Sequence, residues 1–147
     1  MGIMPRIPVG RRLILVADRS EITRTVLREM LIRHGYRVVS AGTTADALKV
    51  ISRLSSRLDG VIAESTPRAA AGFDLAAEIR HAVPRVPLLA MSNPMLHFAS
   101  RDQVLPAVNF DRIDKPFKQA CLLEKLDHIL ANESADRHTR CKAASAS

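Results

Sequence analysis

The sequence predicts an α/β fold, a doubly wound five-stranded parallel sheet of order 2-1-3-4-5 with five flanking helices. Three observations carry this. Apolar residues come as short runs, as in strands covered on both faces. Segments of helical period separate the runs. Several runs end in a polar or charged residue, at the edge where an open parallel sheet carries its function.

The first strand is predicted over residues 12–17, where Leu13-Ile14-Leu15-Val16-Ala17 runs into Asp18. A first helix follows: Ser20 is placed to cap it, Gly35 to end it, and Ile22, Val26, Leu27, Met30 and Leu31 supply its apolar positions. The second strand is expected over 37–41. The second helix opens on Thr43 with Asp46 three residues on, a capping-box pattern, and carries Ala47, Val50, Ile51 and Leu54.

The third strand, 60–63, ends at Glu64. A third helix from Phe73 to Ala82 stops before the breakers Pro84 and Pro87. The fourth strand, 87–91, ends at Ser92, and residues 95–104 make a poor fourth helix between Pro94 and Pro106. The fifth strand, 110–114, runs into Lys115-Pro116-Phe117, and Leu122, Leu126, Ile129 and Leu130 mark a fifth helix from Cys121 to Ala131. Residues 1–11 read as a flexible extension, 12–131 as one domain, and 132–147 as a polar, disordered tail. No internal repeat is visible.

At 147 residues and 47% apolar content, the chain suits one buried core. No apolar run approaches the roughly 18 residues of a membrane span, and the first residues lack the apolar stretch of a signal peptide. A cytoplasmic protein is expected. Cys121 and Cys141 make no disulfide framework and are expected as unpaired thiols. With His138 alone, Cys141 falls short of the four ligands of a structural metal site.

The net charge of +7 raises nucleic-acid binding as a different class of function. Against it, the arginines are scattered over every element, and aromatic content of 3% leaves no stacking surface for single strands. Ser92, His97 and Asp102 contain the residue types of a hydrolytic triad, but chain spacing does not establish triad geometry.

The order of Asp18, Glu64, Ser92 and Lys115-Pro116 resembles the receiver domain of two-component response regulators, a flavodoxin-like fold, from about Arg12 to Leu130. The resemblance implies a phosphoaspartate switch. In that family two adjacent acids and an acceptor aspartate hold Mg²⁺, and a hydroxyl and a lysine contact the phosphoryl group. Asp18 matches the first acid, Glu64 the acceptor position, Ser92 the switch hydroxyl, and Lys115 with a cis Pro116 the lysine and its turn.

This chain departs from the pattern in four places. Arg19 stands where the second acid belongs, replacing a ligand by a fixed cation, so Mg²⁺ binding at Asp18 and Glu64 is expected to be weak or absent. Glu64 is one methylene longer than aspartate, about 1.5 Å of extra reach. Either it is a permanent partial phosphate mimic, with Arg19 and Lys115 both free to pair with it, or it forms a simple buried ion pair with Arg19. Arg112 occupies the position of the family's aromatic switch, where Asp111 or Asp114 could pair with it. Pro67 comes one residue early, so the loop through Arg68 to Gly72 is rebuilt.

The resemblance therefore implies an atypical single-domain response regulator that performs no catalysis and acts by protein binding. Expected partners are a histidine kinase, a phosphotransfer protein or another regulator. Arg24 and Arg28 on the first helix are a possible docking face. A homodimer through the fourth helix, fifth strand and fifth helix is a further possibility. The alternative keeps phosphorylation, with Asp18 or Glu64 as acceptor.

Overall fold

A computed structural model describes residues 12–54, 56–65, 75–92 and 109–131. Five strands, β1 (Leu13–Ala17), β2 (Arg37–Ala41), β3 (Gly60–Ser65), β4 (Leu88–Ser92) and β5 (Phe110–Asp114), form one sheet of order β2-β1-β3-β4-β5. All four pairings are parallel. Four helices accompany them among the described residues: α1 (Glu21–Arg33), α2 (Thr44–Leu54), α3 (Leu75–Ala82) and α4 (Gln119–Ala131). The predicted fourth helix, the loop from Pro67 to Gly72, His97, Asp102, Cys141 and both terminal segments lie outside the described residues.

Because side chains alternate across a strand, β1 feeds two separate cores. Leu13, Leu15 and Ala17 pack with Ala47 and Ile51 of α2 and Leu75, Ala76 and Ile79 of α3. Ile14 and Val16 pack on the other face with Leu27, Met30 and Leu31 of α1 and Leu122, Leu126 and Ile129 of α4. Ile14, Leu15, Leu27, Leu31, Leu122 and Leu126 are fully buried, and each such side chain contributes roughly 1.5–3 kcal/mol before the ordering cost.

The helix signals read from sequence are the ones in use. Thr23 N–H donates to Ser20 Oγ at 3.2 Å, and Asp46 N–H donates to Thr43 Oγ1 at 3.0 Å. Gly35 takes a φ of 98°, a left-handed conformation that glycine adopts without Cβ strain. One expectation is corrected: Ile22 and Val26 do not join the core but stand 76% and 49% exposed. The burying stripe of α1 is Leu27, Met30 and Leu31.

Two buried cations are structural. Arg80 of α3 is 3% exposed and donates to the carbonyls of Pro84, Val86 and Asn109, at 2.7, 3.0 and 3.3 Å. It ties the turn before β4 to the start of β5. Lys125 of α4 faces Asp111 of β5 at 3.5 Å. Cys121 is disulfide-bonded, which corrects the expectation that it is an unpaired thiol. Among the described residues, no helix is long and apolar enough to cross a membrane.

Candidate functional site

The chain leaves β1 for β2 on one side and reaches β3 on the other, so strand order reverses between β1 and β3. That switch point is where open α/β sheets bind ligands. Asp18 follows β1, Glu64 is the penultimate residue of β3, Ser92 ends β4 and Lys115 follows β5. Parallel pairing brings all four to one edge.

Asp18 is 1% exposed, so its charge must be met locally. Its Oδ1 accepts from the Ser20 N–H at 2.8 Å, and its Oδ2 lies 3.0 Å from Lys115 Nζ. Its own N–H donates to Ala41 O at 3.1 Å, tying the loop to the end of β2. Glu64 is met differently. Its Oε1 accepts from the backbone N–H of Arg19 at 2.8 Å, and Arg19 Nε stands 3.9 Å from the same oxygen. The Arg19 side chain is 52% exposed against 13% for Glu64, so the acid is covered while the guanidinium reaches solvent.

The expected convergence of Arg19 and Lys115 on Glu64 therefore resolves into two pairs. Lys115 is held by Asp18, and Arg19 by Glu64. Ser92 is 2% exposed and its carbonyl accepts from Lys115 N–H at 2.7 Å. The Lys115–Pro116 peptide is cis.

Two expected residues are placed otherwise. Arg112 lies exposed on β5 with its guanidinium carbon 5.9 Å from the Phe110 ring centroid, within cation–π range. Its backbone N–H, not its side chain, meets Asp111, at 2.8 Å from Oδ1. Arg24 does not share an open face with Arg28. Arg28 is exposed, whereas Arg24 turns back to the loop, its Nη1 2.7 Å from Asp18 O and 3.3 Å from Arg19 O. The companion of this turn is Gly42, beside which an added Cβ would sit 2.6 Å from Arg24 Nη1. Sequence reading missed the pair, although a glycine directly after a strand end is a signal for close approach.

The donor set does not suit Mg²⁺. The ion wants near-octahedral oxygen ligands and carboxylate charge. Asp18 and Glu64 offer two carboxylates whose named oxygens already face Lys115, Ser20 and Arg19, and Arg19 brings a guanidinium 3.9 Å from Glu64 rather than a further oxygen ligand. Among the described residues no group of three or more His, Cys, Asp or Glu is placed to hold a metal.

No protein-family model matches the chain. Its fold is nevertheless that of receiver domains. The receiver domain of a sensor histidine kinase from Pseudomonas aeruginosa, with a magnesium ion in its active-site cleft, superposes with a TM-score of 0.65 at 26% identity, covering 82% of this chain and 98% of that one. A response regulator receiver protein from Sinorhizobium medicae gives 0.61 at 26% identity, covering 82% and 95%. A receiver domain from Clostridium thermocellum gives 0.66 at 20% identity, covering 82% and 94%.

By sequence, the chain is 27% identical over 119 residues to the 3',5'-cyclic-nucleotide phosphodiesterase regA of Dictyostelium discoideum. That match spans 80% of this chain but 15% of the phosphodiesterase. Fold and neighbours together show that the chain has the receiver fold and is similar to response-regulator receiver domains.

Proposed function

We propose that this domain is an atypical response regulator of two-component or phosphorelay signalling that acts by binding a protein partner, with a site that needs neither metal nor phosphoryl group. Residues 12–131 are the unit that carries this role. One observation supports it above the others: each site carboxylate has its own cation, Asp18 with Lys115 and Glu64 with Arg19. Three carboxylates and one lysine, the usual receiver set, leave two negative charges for Mg²⁺ to balance. Two carboxylates and two cations leave none.

The surface beside the site favours a protein partner. Ile22 and Val26 stand exposed one turn apart on α1, close in sequence to the half-exposed Arg19. An apolar pair with a basic neighbour suits a helix that presents apolar and acidic groups. A histidine kinase or phosphotransfer protein is the partner class that this reading names.

An amide NMR titration tests it, first with Mg²⁺, then with beryllofluoride, then with a purified phosphotransfer domain. The expected result is no site-localised shift with the first two and shifts along α1 with the third. Mg²⁺-dependent shifts at Asp18, Glu64 and Ser92 on adding beryllofluoride would instead establish a phosphorylation-competent receiver.

A further inference from the structure

We propose that Arg24 is the positioning residue of this site, acting through the peptide that joins Asp18 to Arg19, and that Gly42 supplies the space it requires. The Asp18 carbonyl and the Arg19 N–H belong to one peptide unit. On one side of that unit Arg24 Nη1 donates to Asp18 O at 2.7 Å. On the other, Arg19 N–H donates to Glu64 Oε1 at 2.8 Å. The peptide dipole thus lies between a guanidinium and a carboxylate, aligned with both.

Charge-assisted hydrogen bonds of this kind are the strong ones, and bonds in series polarise one another. Turning the peptide over would aim its oxygen at Glu64 and its N–H at Arg24, which is repulsive at both ends. Arg24 therefore fixes which way the peptide faces, and with it the hydrogen bond that covers Glu64. The same Nη1 lies 3.3 Å from Arg19 O, so two successive carbonyls of the loop are held.

Gly42 makes the arrangement possible. A Cβ there would lie 2.6 Å from Arg24 Nη1 and 3.1 Å from its Cζ. A real side chain at 42 requires a shift, and because the nearest atoms are the flexible end of Arg24, it is the guanidinium that gives way. The consequence is a physical link from the first turn of α1, through one peptide, to the end of β3. It operates whether or not a partner docks on α1, so its failure and that of the proposed function read separately.

The test is amide hydrogen exchange and proton chemical shift at Arg19 in the wild type and in the R24A, R24K, G42A and R24A/G42A proteins, with thermal melts to confirm folding. R24A is expected to shift the Arg19 resonance and speed its exchange roughly tenfold or more, the size of losing a charge-assisted bond. R24K, which keeps the cation, restores part of the protection. G42A reproduces R24A, and the double variant is no worse than R24A, because the three atoms nearest the added Cβ all belong to the guanidinium that R24A removes. An Arg19 amide unmoved by R24A, or effects of R24A and G42A that simply add, would overturn the proposal.

Discussion

Lys115 Nζ lies 3.0 Å from Asp18 Oδ2 across 97 residues of chain, joining the ends of β1 and β5. The two carriers differ in exposure, 1% for the Asp18 side chain and 25% for that of Lys115, so removing the lysine strands a carboxylate that water reaches poorly. Lys115→Met is expected to cost about 2–4 kcal/mol, slightly under a fully buried pair because the ammonium is partly hydrated. Asp18→Asn in that background should recover much of the loss. Urea unfolding of the single and double variants checks this, and additive costs would mean the pair is not coupled.

The charge balance at the second pair predicts a gain of function. Arg19→Asp with Glu64→Asp supplies three carboxylates at the strand ends and removes the guanidinium that repels a divalent ion. The double variant is expected to show saturable Mg²⁺-dependent amide shifts at residues 18, 19 and 64, where the wild type shows none. Arg19→Asp alone should respond more weakly, since Glu64 reaches about 1.5 Å further than an aspartate. If the double variant ignores Mg²⁺ while still folded, Arg19 is not what excludes the metal.

Strand positions were legible because burial on both faces leaves uninterrupted apolar runs. Leu13–Ala17 and Leu88–Ser92, predicted over 12–17 and 87–91, are such runs and are buried at every residue, whereas Phe110–Asp114, predicted over 110–114, buries only Ile113. Caps were legible because Ser20 and Thr43 act on neighbours three residues away. Contacts between distant segments were not. Nothing local to Lys115 says that it meets Asp18 rather than Glu64. Nothing in the period of α1 says that Ile22 and Val26 face solvent, since an apolar stripe reads the same whether a core or a partner covers it. Arg24 and Gly42 pair across a loop and a strand end, a relation only the fold creates.

Arg80 illustrates the same point and carries its own prediction. Arginine is mostly an exposed residue type, yet Arg80 is 3% exposed, and burial lowers its pKa by disfavouring the charged form. What it offers in return is three hydrogen bonds to carbonyls of Pro84, Val86 and Asn109. Arg80→Met keeps most of the volume and leaves those carbonyls without this donor. The expected cost is about 2–4 kcal/mol by denaturant unfolding, with faster hydrogen exchange at Leu88, whose N–H bonds to Asn109 O. Arg80→Lys should recover less than half, because one ammonium does not span the fork that three carbonyls present.

The single tyrosine of the chain gives a clean pH test. Tyr36 is 3% exposed and packs beside α1 and α4, where its hydroxyl donates to Asp127 Oδ1. His34 Nε2 stands 3.4 Å from the other oxygen of the same carboxylate. Burial first, then the hydrogen bond and the charge of Asp127, push the phenol pKa well above its ordinary value of about 10, and Arg12 opposes this weakly. The native state therefore keeps the phenol proton at pH values where the unfolded chain loses it. A group whose pKa is raised by folding contributes stability in full below its unfolded value, and that contribution falls as pH climbs past about 10. The slope is at most about 1.4 kcal/mol per pH unit. Tyr36→Phe should lose about 1 kcal/mol at neutral pH with the missing hydrogen bond, yet decline less steeply above pH 10, since other groups titrating there act on both proteins alike. Melting curves across the alkaline range, with phenolate absorbance reporting Tyr36 alone, decide it. Parallel declines for the two proteins would mean that Tyr36 ionises as readily in the fold as outside it.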